Sequence, residues 1–332
     1  MVSSRDVAKL AGVSQSTVSR VLNNPDGVSK PALEKVKKAM AELSYRPNSV
    51  ARSLVQKKTK SIALISGPLH NPFFVETTTA IVNYAGQKGY HVNVHFEDIG
   101  DNMSVYKTVL SHQVDGIILS SIFYKDTVFE ELKATGIPFV MFNRKHQDGG
   151  HFVEIDNEKS GALAVKHLLD LGHERIAWIG GSLETSTFYG RYRGYINVLQ
   201  ECNMEVPSSY IQITDTSRLG VYEACAAIMA QKNRPTAIFA ATDSIAIFAM
   251  DYLIQKGYSI PEDISIVGMD NVEWSRHEAI QLTTVGPEEG KNLGQLAIEQ
   301  LMELIRYPAK YKVPIQTTVN PILFNRKTTQ KC

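Results

Sequence analysis

The stretch from Asp6 to Asn23, DVAKLAGVSQSTVSRVLN, narrows what this chain can fold into more than any other. Val7, Ala8 and Leu10 form a short apolar stripe, Gly12 is a helix stop, and Ser14 is a ready N-cap for a second helix. Two short helices joined by a turn of about 3–4 residues containing Gly make a helix-turn-helix unit. On the second helix Val18, Val21 and Leu22 fall at i, i+3 and i+4 and make a packing face. A third helix is predicted after Ser29, with Pro31 in its first turn and Leu33, Val36, Met40 and Leu43 spaced three, four and three apart. The three together close a minimal core near Tyr45.

The other side of the second helix carries Gln15, Ser16, Ser19 and Arg20, whose amide, hydroxyl and guanidinium groups can hydrogen-bond base edges or phosphates. No acid lies among them. A surface helical hairpin would show the same spacing, so charge is needed to separate the two. Of 35 Lys and Arg, 12 fall in residues 1–60 against 4 of the 34 Asp and Glu, leaving 23 and 30 for the rest: net +8 against −7. A basic front on an acidic body is the footprint of a nucleic-acid-binding module.

The remainder is that of a globular protein, with 43% hydrophobic and 21% charged residues and no apolar run near the roughly 18 residues of a membrane span. The start, MVSSRDVAK, carries an acid and lacks an apolar segment, so no secretory signal and no membrane partner are expected, and the location is expected to be cytoplasmic. Cys202, Cys225 and Cys332 are an odd set without a close pair, which argues against disulfides and zinc.

Arg46-Pro47-Asn48 marks a boundary, with Asn48 a candidate N-cap for a helix of about two turns ending near Val55. Isolated helices below about 12–15 residues are marginal in water, so this one should fold only against a partner. From Ser61 the pattern becomes short apolar strands alternating with amphipathic helices. SIALIS (61–66), HVNVHF (91–96), GIILSS (116–121) and PFVMF (138–142) form a first run. RIAWIG (175–180), YIQI (210–213), TAIFAA (236–241) and ISIVG (264–268) form a second. Each reads as a doubly wound parallel layer, and the halves open alike, Ile62-Ala63-Leu64-Ile65 against Ile176-Ala177-Trp178-Ile179. A helix at about 288–306 and the strands after it are expected to cross back between the halves. Neither GxGxxG nor a P-loop occurs, and no cofactor is expected.

In open α/β sheets ligands sit beyond the carboxyl ends of the strands. The residues there are Leu69 to Phe74, Ser120, Ser121, Asn143, Arg144, Arg191, Asp215, Thr216, Thr242, Asp243, Asp270 and Asn271, a set rich in groups that bind hydroxyls. His173, the pair His95 and Glu97, and Ser182 near Glu184 lack the spacing of a metal site or a nucleophile elbow, so no enzyme activity is expected.

DVAKLAGVSQSTVSRVLN, ELSYRPNSVARSL, LGHERIAWIGG and VGMDN together resemble the LacI/GalR family of bacterial transcription regulators, from about Ser4 to about Lys327. The resemblance implies a small all-α helix-turn-helix headpiece (1–46), a hinge helix and linker (47–60) and a periplasmic-binding-protein-like α/β core (61–332). The core would consist of two similar doubly wound parallel-sheet subdomains, about 61–157 with 288–320 and about 158–287 with 321–332. It implies a homodimer on a palindromic double-stranded DNA operator, acting as a repressor under allosteric control of a small-molecule effector.

By the same resemblance Gln15, Ser16 and Arg20 read bases, Thr17, Ser19, Asn23 and Ser29 hold the DNA backbone, and Ala51 and Leu54 enter the minor groove, Leu54 as a wedge. Phe73, Phe74, Asn143, Arg191 and Asp270 are the first-choice effector contacts, with Ser120 and Thr242 beside them. The effector is expected to be a carbohydrate or related polyol. Where members often place a stacking aromatic after the YIQI strand, this chain has Thr214-Asp215-Thr216, so the ring is expected elsewhere, at Tyr189 or Trp274. Two alternatives stand: control by a partner protein, as in catabolite control proteins, and a ligand receptor without specific DNA binding.

Overall fold

The computed structural model describes residues 2–45, 59–96 and 102–332, which form two compact units, residues 1–59 and 60–332. The short helix expected over 48–55, with Ala51 and Leu54, lies outside the described residues.

The first unit holds α1 (Ser4–Ala11), α2 (Gln15–Asn23) and α3 (Lys30–Glu42). α1 begins in a capping box, with Ser3 N–H donating to Asp6 Oδ2 at 2.8 Å, and ends at Gly12, whose φ of 66° a side chain would disfavour. Ser14 caps α2, its Oγ accepting from Thr17 N at 3.1 Å. Val7, Ala8, Ala11, Val18, Val21, Val36 and Ala39 make the core. Leu10 departs from the expected stripe and is 46% exposed. The buried face centres on Ala11, and at about 100° per residue position 10 points away from it. Ser29 occupies the N-cap position of α3 with extended backbone but makes no side-chain cap bond, and it stands exposed.

The second unit is built on two six-stranded sheets. The first has the order β11-β5-β4-β3-β1-β2, where β1 is Ser61–Ser66, β2 His91–Phe96, β3 Gly116–Leu119, β4 Phe139–Phe142, β5 Phe152–Ile155 and β11 Gln316–Val319. The second has the order β12-β10-β9-β8-β6-β7: β6 Ile176–Gly180, β7 Ile211–Ile213, β8 Ala237–Ala240, β9 Ser265–Met269, β10 Thr283–Pro287 and β12 Pro321–Phe324. All ladders are parallel except β10 with β12. The central strands are buried along their length, as sheets covered on both faces require.

The chain passes between the sheets at three places: after β5 into α7 (Asn157–Asp170), after β10 into α11 (Leu293–Arg306), and at Asn320 between β11 and β12. α11 starts at Leu293, capped by Asn292, five residues later than the pattern predicted, because Pro287 to Lys291 form the crossing segment. The remaining helices are α4 (Pro72–Gln87), α5 (Asn102–Ser111), α6 (Val128–Thr135), α8 (Ser186–Glu201), α9 (Arg218–Met229) and α10 (Asp243–Gln255). β5, only four residues long and starting two residues after the Gly149-Gly150 pair, has too little periodicity to be read locally. His173 is a core residue bonded to Thr236 Oγ1, Ser265 Oγ and the carbonyl of Gln330. Among the described residues no helix is long and apolar enough to cross a membrane.

Candidate functional site

On the first unit, α2 presents Gln15, Ser16, Ser19 and Arg20 to solvent. Its N-terminus is a compact hydroxyl cluster: Ser14 Oγ lies 2.8 Å from both Ser16 Oγ and Thr17 Oγ1. Gln15 Nε2 donates to Ser4 Oγ at 3.1 Å, so the start of α1 orients this amide. The first turn of α2 holds no acid, and helix N-termini attract phosphates and groove edges. Thr17 is half-buried, its hydroxyl engaged with Ser14.

On the second unit, the carboxyl ends of the two sheets face each other across a cleft. Its innermost cavity is lined by Asn71, Phe73, Phe74, Asn143, Arg144, Thr187, Phe188, Arg191, Thr242 and Asp270. Five of the seven sequence-chosen residues supply a cluster here at once, and Thr242 is a sixth. The seventh, Ser120, does not line it. Ser120 Oγ accepts from Gly67 N at 3.2 Å and lies 3.4 Å from the carbonyl of Ile65, tying the end of β1 to that of β3. Its burial follows from being the first residue after a central strand.

Arg191, 1% exposed, organises the cavity. Its Nη2 donates to Asp270 Oδ1 at 2.8 Å, its Nε to Asn157 Oδ1 at 3.0 Å and its Nη1 to the carbonyl of Ala241 at 2.5 Å. Asn157 is in turn braced from the other sheet, its Nδ2 lying 3.4 Å from Glu154 Oε2, while Lys145 Nζ meets Glu154 Oε1 at 2.5 Å. Burial pushes the Glu154 carboxyl up and the hydrogen bond from Lys145 opposes it. The chain Lys145, Glu154, Asn157, Arg191, Asp270 thus links the two sheets through charge-assisted hydrogen bonds.

Asp270 has φ of 118° and Asn271 φ of 53°, both in the left-handed region that non-glycine residues rarely adopt. The turn is held by Asp270 N donating to the Val285 carbonyl at 2.7 Å and by Arg326 Nη2 donating to Asn271 Oδ1 at 2.6 Å. Burial raises the Asp270 carboxyl to about 6, and the Arg191 charge pulls against that rise. Nearby Asp243, fully buried, is held well above the usual carboxylate range by burial and by Asp270, although Thr284 Oγ1 and Val272 N donate to it.

Sequence reasoning missed Thr187, Phe188 and Asn157. Thr187 lies four residues before Arg191, hence on the same helix face, and this spacing was the available signal. Thr216 and Asp215 turn away from the cavity, Asp215 accepting from Ser217 N at 2.9 Å. Trp274 is 61% exposed and lines neither the cavity nor its mouths. Among the described residues no group of three or more His, Cys, Asp or Glu could hold a metal ion.

The cavity measures about 30 Å³, room for a water and far less than the roughly 300–1,000 Å³ of small-molecule sites. Bonds across the cleft close it. Thr187 Oγ1 donates to the carbonyl of Asn143, Lys145 N to Ser186 Oγ at 2.9 Å, Tyr124 N to the carbonyl of Glu184 at 2.9 Å, and Glu273 N to Glu76 Oε1 at 2.8 Å. Two openings of about 700 Å³ each flank the closed part, one beside Glu76, Arg276 and Arg326, the other beside Tyr124 and Tyr189.

Residues 5–48 match the family described as bacterial regulatory proteins, lacI family, and residues 165–329 match the periplasmic binding protein-like domain. The chain is 33% identical over 312 residues to the HTH-type transcriptional repressor PurR of Glaesserella parasuis, covering 92% of this chain and 91% of that one. It is 34% identical over 321 residues to the ribose operon repressor of Haemophilus influenzae, covering 93% of each. Among solved structures, the lac repressor dimer bound to operator and the anti-inducer ONPF superposes with a TM-score of 0.86, at 29% identity over 99% of each chain.

Proposed function

The chain belongs to the lacI family of bacterial regulatory proteins, and on that premise we propose that this DNA-binding transcriptional repressor works as a homodimer on a palindromic operator, released or engaged by a small effector in the cleft. The observation that carries the effector reading is the buried Arg191–Asp270 pair at the junction of two sheets, with Phe73 and Asn143 brought to it from the opposite side. A guanidinium and a carboxylate side by side supply donors and acceptors to a polyol, and the phenyl rings supply an apolar wall. A carbohydrate is therefore the effector class favoured. The ribose operon repressor's name refers to a sugar, which supports this class, and purine bases, as corepressors on the same fold, are the comparison ligands.

On the DNA side Gln15, Ser16 and Arg20 read base edges in the major groove, while Thr17, Ser19, Asn23 and Ser29 fix the register on the phosphates. Ala51 and Leu54 enter the minor groove at the operator centre, a reading that rests on the sequence. An effector that enters a cavity this small must part the two subdomains and break the bonds at Asn143, Ser186 and Glu184. Changing their relative angle changes the spacing of the two hinge segments of a dimer, and a marginal helix melts or forms accordingly.

Linkage is reciprocal: operator alters effector affinity by the same factor that effector alters operator affinity. The test is calorimetric titration of pentoses, hexoses and purine bases into the protein alone and into its operator complex. A ligand that binds both forms with equal affinity is no effector, and if all do, the allosteric reading fails.

A further inference from the structure

The strands of the first sheet all run parallel, so their amino ends lie together on the side away from the cleft. The chain arrives from the DNA-binding unit at this end. Lys60, which precedes β1, is fixed there: His91 N donates to its carbonyl at 2.8 Å, and its own N–H donates to Asp115 Oδ2 at 3.1 Å. Lys60, Lys88, Lys133, Arg306, Lys310 and Lys312 surround the end, all exposed, against Asp115, Asp148 and Glu303. Residues 61–332 carry net −7, so this basic end runs against the charge of the unit that bears it.

The amino ends of the second sheet, at the far end of the unit, have the opposite character. The segments before β6, β7 and β9 (170–175, 201–210 and 256–264) hold Asp170, Glu174, Glu201, Glu205, Glu262 and Asp263 against Arg175 and Lys256, and only the segment before β8 is basic, with Lys232 and Arg234. Helix carboxyl ends favour cations through the macrodipole, which would account for Lys88, Lys133 and Arg306. The equivalent ends of α7 and α8 carry Asp170 and Glu201, so position alone does not fix the sign.

The densest stretch is RYPAKYK, 306–312, between α11 and β11, with three cations and no acid. Lys310 Nζ donates to Glu303 Oε2 at 3.2 Å and Tyr311 OH to the same oxygen at 3.1 Å, which props the loop and leaves Arg306 and Lys312 exposed beside it. The ring of Tyr307 lies between the Arg306 guanidinium, 5.1 Å from its centre, and the Lys310 ammonium at 5.3 Å. Such a surface suits an extended polyanion, whose phosphates present charge at regular spacing. β11 stands four strands from β1, about 19 Å at about 4.8 Å per strand, or the length of roughly six base pairs.

We infer that the amino end of the first sheet is a second DNA-contacting surface, on which Arg306 and Lys312 meet backbone phosphates of the duplex flanking the operator. Contacts of this kind position and add affinity without reading sequence. The inference rests on the operator-binding reading and goes beyond it by giving the effector-binding unit a DNA contact of its own.

The test uses the full-length protein and the site it selects from random DNA. Fluorescence anisotropy compares a duplex that ends with the operator and one extended by about two helical turns, roughly 20 bp, on each side, between about 50 and 200 mM salt. The extended duplex should bind more tightly at low salt. Arg306→Gln combined with Lys312→Gln should lower the salt slope on it by about 1.8 for two lost phosphate contacts, a roughly twelvefold effect across that salt range, and leave the short duplex unchanged. Arg306→Lys with Lys312→Arg, which keeps both charges, should behave as the unaltered protein. Lys232→Gln with Lys256→Gln removes the same charge at the far end and should change neither duplex. A flank effect that survives the Arg306 and Lys312 glutamine variant, or one lost equally in the far-end variant, overturns the second surface alone. Failure to enrich any site from random DNA overturns the operator reading and this inference with it.

Discussion

A β-carbon on Gly161 would lie 2.1 Å from the carbonyl oxygen of Arg191. The two helices α7 and α8 therefore meet backbone to backbone, and the contact repeats at Gly194, where a β-carbon would stand 2.1 Å from the carbonyl oxygen of Glu158. This close approach sets Asn157, the first residue of α7, within hydrogen-bond reach of the Arg191 guanidinium.

Gly161→Ala should force the helices apart, since the opposing atom is backbone and cannot swing away. Overpacking of this kind costs about 1–3 kcal/mol, sometimes more. The denaturation midpoint should fall and effector affinity with it, because Arg191 loses its alignment to Asp270. An unchanged midpoint together with unchanged affinity would show that the contact is not rigid.

Thr187→Val removes the hydroxyl that donates to the Asn143 carbonyl across the cleft while keeping the side chain's volume. A net hydrogen bond of about 1 kcal/mol corresponds to a roughly fivefold change in the opening equilibrium. Stopped-flow mixing should show a faster effector on-rate in the variant. A slower one contradicts the latch.

Asp270 supplies the pH dependence. Its folded-state carboxyl is raised to about 6 by burial, so between the ordinary carboxylate range and 6 the folded protein holds a proton that the unfolded chain has released. Its contribution to stability is therefore present at the acid end and lost as pH rises through 6. Effector hydroxyls that donate to the ionised carboxylate pull the other way, so effector affinity should climb from pH 5 to about 7 and then level off. Asp270→Asn should abolish this climb, and a profile that keeps it would move the titrating group elsewhere.

Arg20→Ala should weaken binding to the selected operator by about 1–3 kcal/mol and relax the preference at one base pair in each half-site. Site selection from random DNA reads both effects. An equal loss on operator and on random sequence would instead make Arg20 a phosphate contact.

Lys37 and Lys38, exposed on α3 and not on α2, offer a control for the proposed base-reading residues. Their substitution should lower the salt dependence without changing which sequence is preferred.

The helix-turn-helix unit was legible because its determinants are local: Gly12, Ser14 and the spacing of Val18, Val21 and Leu22 all act within one or two helical turns. Leu10 was misjudged for the same reason, since only the position of α3 decides which side of α1 is inside. In the core, alternation of strand and helix placed the carboxyl ends of the strands and so a pool of candidates, from which the family resemblance singled out Arg191, Asp270 and Asn143. Their assembly was a different matter. Ser120 satisfied the same positional rule and proved to be a tie between β1 and β3, while Asn157 and Thr187 violated no pattern and so drew no notice. The orientation of Arg191 depends on Glu154 and Asn157 at one side and Asp270 at the other, groups more than a hundred residues apart along the chain. By itself the sequence determined the elements, their order and the family of site, because caps, turns and hydrophobic periods are short-range. Only the tertiary structure decided which polar groups share the cleft and which bonds hold it shut, because hydrogen bonds between distant segments exist only once the two sheets are packed against each other.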